Sequence, residues 1–103
     1  MGSQSNDTKE ITLRSDVTLS EDAVFKELSG EAVILNLESG TYFGLNAVGT
    51  RVWALLQEHK SLDETFQALS QEFDVDPKVL ERDLVELVEQ LRAKGLVNVT
   101  AAE

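Results

Sequence analysis

Residues 35–46 read LNLESGTYFGLN, two short apolar segments that meet at a Glu-Ser-Gly turn. The apolar pattern on each side of the turn predicts two antiparallel strands, over residues 32–37 and 41–45. Gly44 and Asn46 then end the second strand abruptly. A last strand of this kind leaves one edge of its sheet unpaired, which raises the question of what binds along that edge.

Side chains in the first of these strands alternate between two faces. Val33, Leu35 and Leu37 share one face. Ala32 and Ile34 lie on the other face, and apolar residues on both faces are typical of a strand that is covered on both sides. The pattern therefore predicts a central strand with helices or strands packed against each face.

The second strand has one face toward the core. If Leu45 points inward, Phe43 and Thr41 share its face and Tyr42 points the other way. Tyr42 has two interpretations: it flanks a ligand bound at the edge, or it packs on the far face of the sheet. The pattern leaves both open.

Two further segments precede this pair. Residues 23–28 predict a strand that ends in a Ser-Gly-Glu turn at 29–31, and scattered apolar residues between 11 and 19 predict a first extended segment. From residue 46 to residue 95 the apolar period changes to that of helices. The chain is therefore predicted to form a small antiparallel sheet followed by three helices.

The three predicted helices have clear boundary signals. Asn46 is an N-cap for the first helix, and Asp76 is one for the third. Ser61 and Glu64 form a capping box at the start of the second, in which Ser61 bonds the Glu64 N–H. Gly95 ends the third helix in a predicted Schellman motif.

Each helix also has an apolar stripe that predicts its buried face. The stripes comprise Val48, Val52, Leu55 and Leu56 in the first helix, Leu62, Phe66, Leu69 and Phe73 in the second, and Leu80, Leu84, Leu87, Val88 and Leu91 in the third. Trp53 lies off the first stripe, and a place in the core fits it better than a docking contact.

A mostly polar stripe flanks the apolar face of the third helix and has two interpretations. Asp76, Val79, Asp83, Glu86 and Gln90 fall on one stripe, with Asp83 closest to the apolar face. This stripe is either the boundary between core and solvent or one wall of a groove. In the second case, the exposed edge of the last strand forms the other wall.

Length and composition predict one domain with a buried core, because the chain has 103 residues and 42% of them are hydrophobic. We place the domain at residues 11–99, between a disordered tail at 1–10 and a short tail at 100–103. No apolar run approaches the ~20 residues of a membrane span, and the polar first residues lack the apolar region of a signal peptide. Together with the absence of cysteine, these features favour the cytoplasm.

The residues that carry enzyme chemistry are scarce. The chain has no cysteine and one histidine, His59, so a transition metal would depend on carboxylates alone. The glycines match neither a P-loop nor a dinucleotide-binding motif. The net charge of −10 disfavours binding of nucleic acid. It either attracts basic partners or only keeps the protein soluble. We expect no enzyme, no cofactor and no metal site.

Several segments together resemble the PqqD-like family, also called the RiPP precursor peptide recognition element, over about residues 15 to 99. These segments are Val33-Ile34-Leu35-Asn36-Leu37, Gly40-Thr41-Tyr42-Phe43-Gly44-Leu45-Asn46, Gly49, Trp53, Phe73-Asp74-Val75-Asp76, Asp83-Leu84 and Leu91-Arg92-Ala93-Lys94-Gly95-Leu96-Val97. The run from Gly40 to Trp53 is most similar to the stand-alone B1 type of lasso-peptide biosynthesis.

The resemblance implies an α+β, winged-helix-like fold, with a three-stranded antiparallel sheet followed by three helices. It also implies that the leader of a ribosomally made precursor peptide adds as a strand beside the last strand and lies against the third helix. A leader peptidase or another RiPP-modifying enzyme would be the second partner, and lasso-type leaders would present a Tyr-x-x-Pro element. The implied peptide-binding residues are Thr41, Tyr42, Phe43, Gly44, Leu45, Val79, Leu80, Asp83, Glu86, Leu87 and Gln90.

Three alternatives remain beside a lasso-peptide adaptor. The same module serves as a peptide chaperone for a radical-SAM enzyme in PQQ-type biosynthesis. Winged-helix domains also bind DNA through a helix, but the third helix here is rich in acidic residues, which is the wrong charge for that role. A general protein–protein module shares the fold as well.

Overall fold

The computed structural model describes residues 10–59 and 61–101. In that part of the chain, strands and helices follow one another in the order β1 (Ser15–Leu19), β2 (Ala23–Leu28), β3 (Glu31–Asn36), β4 (Tyr42–Leu45), α1 (Ala47–Glu58), α2 (Leu62–Glu72), α3 (Pro77–Ala93) and β5 (Val97–Ala101). The predicted α+β class is confirmed. The predicted disordered tail lies almost wholly outside the described residues.

Strands β2, β3 and β4 form a three-stranded antiparallel sheet with β3 in the centre. The β2–β3 hairpin turns at Ser29 and Gly30, which both have positive φ values of 53° and 85°. Two such residues make the turn type that matches strand twist, so the predicted hairpin is confirmed. Among the described residues, β4 pairs with β3 on one side only and is an edge strand, as predicted.

A second sheet, which the sequence analysis missed, joins the two ends of the domain. β1 and β5 pair antiparallel, with Val17 opposite Val99. β5 also extends through Thr100 and Ala101, which were predicted to lie in a tail, and the segment predicted as extended from residue 11 becomes a strand only at Ser15. The pairing joins segments from opposite ends of the chain, so no local pattern indicates it.

The predicted helix caps are largely confirmed. Asn46 Oδ1 accepts a hydrogen bond from the Gly49 N–H at 2.9 Å. The Gly95 N–H donates to the Arg92 carbonyl and the Leu96 N–H to the Leu91 carbonyl, both at 2.9 Å, which is the Schellman pattern. Gly95 has a φ of +73°, a left-handed conformation that favours glycine.

The predicted capping box of α2 is wrong in its partners. Ser61 Oγ accepts from the Asp63 N–H at 3.2 Å, and not from that of Glu64. The Glu64 carboxylate instead lies 3.5 Å from His59 Nδ1, across the short connection between α1 and α2. Ser61 still caps the helix, and the Glu64 side chain lies beside the His59 imidazole instead of completing the capping box.

The core lies between the inner face of the three-stranded sheet and the helices. Trp53 is 2% exposed and stacks on Phe25 with ring centroids 6.3 Å apart, which confirms its predicted place in the core. Ile34 on the same sheet face is fully buried. Within the described residues, no helix is long and apolar enough to cross a membrane.

Two burial predictions are wrong. β3 is fully covered on one face only, because Ala32 and Ile34 are buried while Val33 is 38% exposed and Leu37, just after the strand, is 61% exposed. Val48, predicted in the buried stripe of α1, is 43% exposed. Helix α1 packs on the inner face of β3 and β4, whereas α2 and α3 contact β1 and β5 of the second sheet. Val48 lies in the first turn of α1, where its side chain is exposed.

Candidate functional site

A groove of about 440 Å³ runs between β4 and α3. Its walls come from three elements that are distant in sequence: the end of β4, the first turn of α1 and the middle of α3. The residues that line it are Phe43, Gly44, Leu45, Asn46, Val48, Gly49, Asp83, Glu86, Leu87 and Gln90.

The β4 wall of the groove presents both side chains and backbone groups. Phe43 and Leu45 are on the inner face of the strand, with Leu45 buried and Phe43 half-buried. The Asn36 N–H donates to the Thr41 carbonyl at 2.8 Å, so this carbonyl points toward β3. Because this direction alternates along an antiparallel strand, Tyr42 and Gly44 point their N–H and C=O groups toward the open edge.

The end of the groove is formed by the start of α1. A Cβ atom on Gly49 would lie 3.1 Å from Leu45 Cδ2, so glycine allows the first turn of α1 to pack closely on the end of β4. Val48 projects from the same turn and exposes 43% of its surface. The result is an apolar end to the groove, next to the Asn46 cap.

The α3 wall combines an apolar centre with acidic residues. Leu87 is half-buried, and Asp83, Glu86 and Gln90 around it are exposed, at the spacings of three and four that share a helix face. The Asp83 side chain is 61% exposed and lies 3.5 Å from Arg82 Nε. This wall therefore suits a ligand with one apolar group and a positive charge.

A buried amide connects the sheet to the end of α3. Asn36 is 4% exposed, and its Nδ2 donates to the Lys94 carbonyl at 2.9 Å. Its Oδ1 accepts from the N–H groups of Glu38 at 2.9 Å and Ser39 at 3.4 Å, in the turn that leads into β4. One side chain thus holds the β3–β4 turn against the helix that forms the other wall of the groove.

The structure brings together most of the residues predicted for the site. Phe43, Gly44, Leu45, Asp83, Glu86, Leu87 and Gln90 all line the groove. Four of the predicted residues do not. The Thr41 hydroxyl bonds Ser39 at 2.8 Å, Tyr42 is 70% exposed on the opposite sheet face, Leu80 is buried and Val79 lies a turn before the groove wall of α3.

The sequence analysis missed three lining residues that lie at the β4–α1 junction. Asn46 had been interpreted only as a cap, and Val48 only as part of a buried stripe. Gly49 was noted within the resemblance but given no role in the groove. Since the junction follows the predicted strand directly, its closeness to the strand edge was a usable signal.

The ionisable groups with shifted pKa values lie outside the groove. Arg51 on α1 and Glu72 at the end of α2 form a two-pronged ion pair, with hydrogen bonds of 2.8 and 2.6 Å. The bond from Arg51 lowers the pKa of Glu72, and the same bond raises that of Arg51. Among residues 10–59 and 61–101, no group of three or more His, Asp or Glu side chains could hold a metal ion.

Comparison with known proteins defines the class. The family model described as coenzyme PQQ synthesis protein D (PqqD) matches residues 31–97. These residues include β3, β4 and all three helices, and therefore the whole groove. The chain belongs to the PqqD family, which confirms the resemblance predicted from its sequence.

Two solved structures are similar to this chain over nearly their whole length. TbiB1 in complex with the TbiA(beta) leader peptide is 41% identical with a TM-score of 0.73, over 78% of this chain and 93% of that chain. Lasso peptide synthetase B1 complexed with the leader peptide is 25% identical with a TM-score of 0.71, over 81% of this chain and 98% of that chain. Among curated proteins, none matches the sequence of this chain.

Proposed function

We propose that this protein binds the leader segment of a ribosomally synthesised precursor peptide and delivers it to a leader peptidase in lasso-peptide biosynthesis. The leader adds as a further strand along the edge of β4 and lies against α3. The observation that carries the proposal is the position of the groove, which lies between an unpaired strand edge and a helix wall with an apolar centre. The two solved relatives, each a B1 protein with a bound leader, support it.

Strand addition uses the two kinds of group that this groove offers. Hydrogen bonds to the outward backbone groups of Tyr42 and Gly44 supply affinity that does not depend on leader sequence. Phe43, Leu45 and Leu87 supply the apolar floor that selects a leader side chain. Tyr42 can therefore bind the leader through its backbone, although its side chain points away from the groove.

The acidic residues of α3 favour a basic leader. Asp83 and Glu86 are exposed and stand beside Leu87, where a lysine or arginine of the leader reaches them while its neighbour fills the apolar centre. Gln90 offers an amide to the leader backbone. Val79 and Leu80 lie a turn closer to the start of α3. Leu80 is buried, so only Val79 is available to contact a leader that extends past the groove.

We assign no catalytic step to this groove. Its titratable side chains, Asp83 and Glu86, are exposed carboxylates on one helix face, whereas acid–base chemistry needs groups in contrasting environments. A leader segment of about ten residues makes an interface at or below the ~1,200 Å² of stable complexes. We expect an affinity of about micromolar to high nanomolar from such an interface.

The second candidate is a peptide chaperone for a radical-SAM enzyme in PQQ-type biosynthesis, and the matching family model is described as a coenzyme PQQ synthesis protein. The lasso role has the stronger support, because the relative at 41% identity is a B1 protein with its leader. In either role the protein works in the cytoplasm, where precursor peptides are made. The genes beside this one separate the two roles at once.

Fluorescence anisotropy with labelled peptides tests the function directly. The probes are the TbiA(beta) leader and the leader of the precursor encoded nearest this chain, with scrambled versions and a short DNA duplex as controls. Saturable binding of a native leader alone supports the proposal. Binding of none of the probes favours a different protein partner, and binding of the duplex favours the DNA-binding alternative.

A further inference from the structure

A second cleft, of about 510 Å³, lies between β1 and the last turn of α1. We call it the β1 cleft. Val17, Thr18 and Leu19 form one of its walls, and residues 56–59 form the other. The groove touches the first turn of α1, and a helix of 12 residues separates the two sites by about 18 Å. None of these described residues lines both sites, so the two can be filled at the same time.

One edge of β1 is open beside the cleft. Among the described residues, β1 pairs with β5 on one side, and its other edge is met only by a bridge between Asp16 and Ser61. The Ser20 N–H donates to the Leu96 carbonyl at 2.9 Å, so this N–H points toward the segment that leads into β5. Because the direction alternates along an antiparallel strand, Leu19 points its N–H and C=O away from β5. Such an edge can pair with a further strand.

The floor of the β1 cleft is apolar and its rim is polar. Val17 and Leu56 are buried and Leu19 is half-buried, whereas Thr18 and Gln57 are exposed. Successive side chains of an added strand point to opposite faces, so alternate residues of a ligand face this floor and the others face the rim. The cleft therefore suits a segment in which every second residue is apolar.

The end of α1 makes the rim negative. The last carbonyls of a helix carry the negative end of its dipole, where a cation is stabilising. Within the described helix α1, the last turn contains no basic residue and ends at the exposed Glu58. The imidazole of His59 follows, and its Nδ1 lies 3.5 Å from the Glu64 carboxylate. A lysine or arginine of a ligand would complement both the helix end and Glu58.

We propose that the β1 cleft binds an extended segment of a second protein, in which basic residues alternate with apolar ones, as a strand beside β1. The backbone groups of Leu19 bond the added strand, its apolar residues cover Val17 and Leu56, and its basic residues face Glu58. A leader that adds to β4 is already held at the other end of α1, so it is not the occupant. A second copy of this chain is disfavoured as well, because joining two β1 edges would bring two acidic helix ends together.

Fluorescence anisotropy with a short labelled peptide of alternating lysine and valine tests the cleft. A peptide of the same composition, with all its lysines before its valines, has the same charge without the alternation. Glu58→Lys reverses the charge at the rim, and Glu89→Lys is its control, at an exposed glutamate of α3 that lines neither site. Leu19→Pro removes the outward N–H, and Leu19→Val keeps it. Circular dichroism checks the fold of each variant.

We expect Glu58→Lys to bind the alternating peptide at least about fivefold more weakly than Glu89→Lys does, as for the reversal of one partly exposed ion pair. Leu19→Pro should weaken binding about tenfold, because strand addition depends on backbone bonds, and Leu19→Val should stay close to the wild type. In NMR spectra of the wild type, the peptide should shift the amide signals of Leu19 and Gln57 and leave those of Tyr42 and Gly44 unchanged.

Equal binding by Glu58→Lys and Glu89→Lys would overturn the inference, and so would equal binding of the two peptides, because either result reduces the effect to net charge. Displacement of the peptide by saturating leader would place it in the groove and contradict a separate site. A precursor whose binding weakens in Glu58→Lys as much as that of the peptide would make the precursor, and not a second protein, the occupant. Failure of the proposed function is seen separately, as absent leader binding by the wild type, and the Leu19 and Glu58 variants still decide the β1 cleft.

Discussion

The Asn36 side chain connects the β3–β4 turn to the end of α3. Its Nδ2 donates to the Lys94 carbonyl, and its Oδ1 accepts from the Glu38 N–H. Asn36→Ala removes a buried amide and leaves partly buried backbone groups of the turn and of Lys94 without it, so we expect the free energy of unfolding to fall by about 1–3 kcal/mol. Chemical denaturation measures this change. Asn98→Ala, at an exposed asparagine of β5, is the control and should stay within about 0.5 kcal/mol of the wild type.

The same substitution tests whether the amide also sets the groove. Loss of the contact releases the turn before β4 from α3, and we expect leader binding to weaken even at temperatures where the variant is fully folded. Unchanged stability would contradict the structural role of Asn36. Lower stability with unchanged leader affinity would limit that role to the fold.

At the residue scale, the sequence predicted what depends on neighbours along the chain. The caps at Asn46 and Asp76 and the turn at Gly95 each bond residues within five positions, so a short window contains the whole interaction. Asn36 is different, because its Nδ2 partner, Lys94, is 58 positions away. Its polar side chain on a buried strand face was the visible sign that such a partner was needed.

At the element scale, β4 is proposed to bind through backbone groups that point outward at Tyr42. Tyr42→Pro removes one outward N–H while keeping the ladder to β3, so the protein should fold and its leader affinity should fall more than about tenfold. Anisotropy measures the affinity and circular dichroism the fold. Tyr42→Thr is the matched control, since it loses the ring but keeps the N–H, and it should retain most of the affinity.

Phe43→Pro gives the converse result at the next residue. Phe43 lies opposite Ile34 and points its backbone groups toward β3, so proline there breaks the ladder inside the sheet. We expect loss of thermal stability together with loss of binding. A folded Tyr42→Pro variant that binds as tightly as the wild type would mean that the leader is not held by strand addition.

The ion pair between Arg51 and Glu72 connects α1 to α2 and makes part of the stability depend on pH. Its hydrogen bond lowers the pKa of Glu72 in the folded state, so the folded protein binds fewer protons there than the unfolded chain. The stabilisation is present above the ordinary pKa of a glutamate and is lost as pH falls through the lowered one. Glu72→Gln should therefore melt below the wild type at neutral pH, and the two should converge in acid.

Thermal melts from neutral to acidic pH measure that convergence. Glu89→Gln, at an exposed glutamate of α3, removes the same charge and serves as the control. Because the Arg51–Glu72 pair is exposed, its effect is expected to be small and reduced by salt. A difference in melting temperature between wild type and Glu72→Gln that stayed constant at all pH values would show that the charge of the Glu72 carboxylate does not cause it.

The elements themselves show where sequence reasoning ends. The hairpin of β2 and β3 and the three helices follow from periodicity and turn residues, which are local. The pairing of β1 with β5 is not, because it joins Ser15 to Ala101 and depends on α3 bringing the chain back. The groove could be predicted in part. Its two main walls follow from strand and helix patterns, but its end at Val48 depends on how α1 packs on β4.

At the scale of the whole molecule, the net charge of −10 attracts any basic peptide before it reaches a site. This long-range attraction raises the association rate and weakens as salt shortens its range. Contacts inside the groove act differently, since they require a particular carboxylate at a particular place. Substitutions that change the net charge equally at two positions on one helix can separate the two effects.

Asp83→Arg and Glu81→Arg form such a pair. Asp83 lines the groove, whereas Glu81 is exposed on α3 outside it, and each substitution changes the net charge by the same amount. We expect Asp83→Arg to weaken binding of a basic leader about fivefold more than Glu81→Arg does. The difference corresponds to losing one partly exposed ion pair between the leader and Asp83 and replacing it by repulsion between two positive charges. A leader with its basic residues replaced by glutamine should bind both variants alike. Equal losses of the basic leader in the two variants would assign the preference to the field of the whole molecule, and equal losses of basic and neutral leaders in Asp83→Arg would give Asp83 a structural role instead.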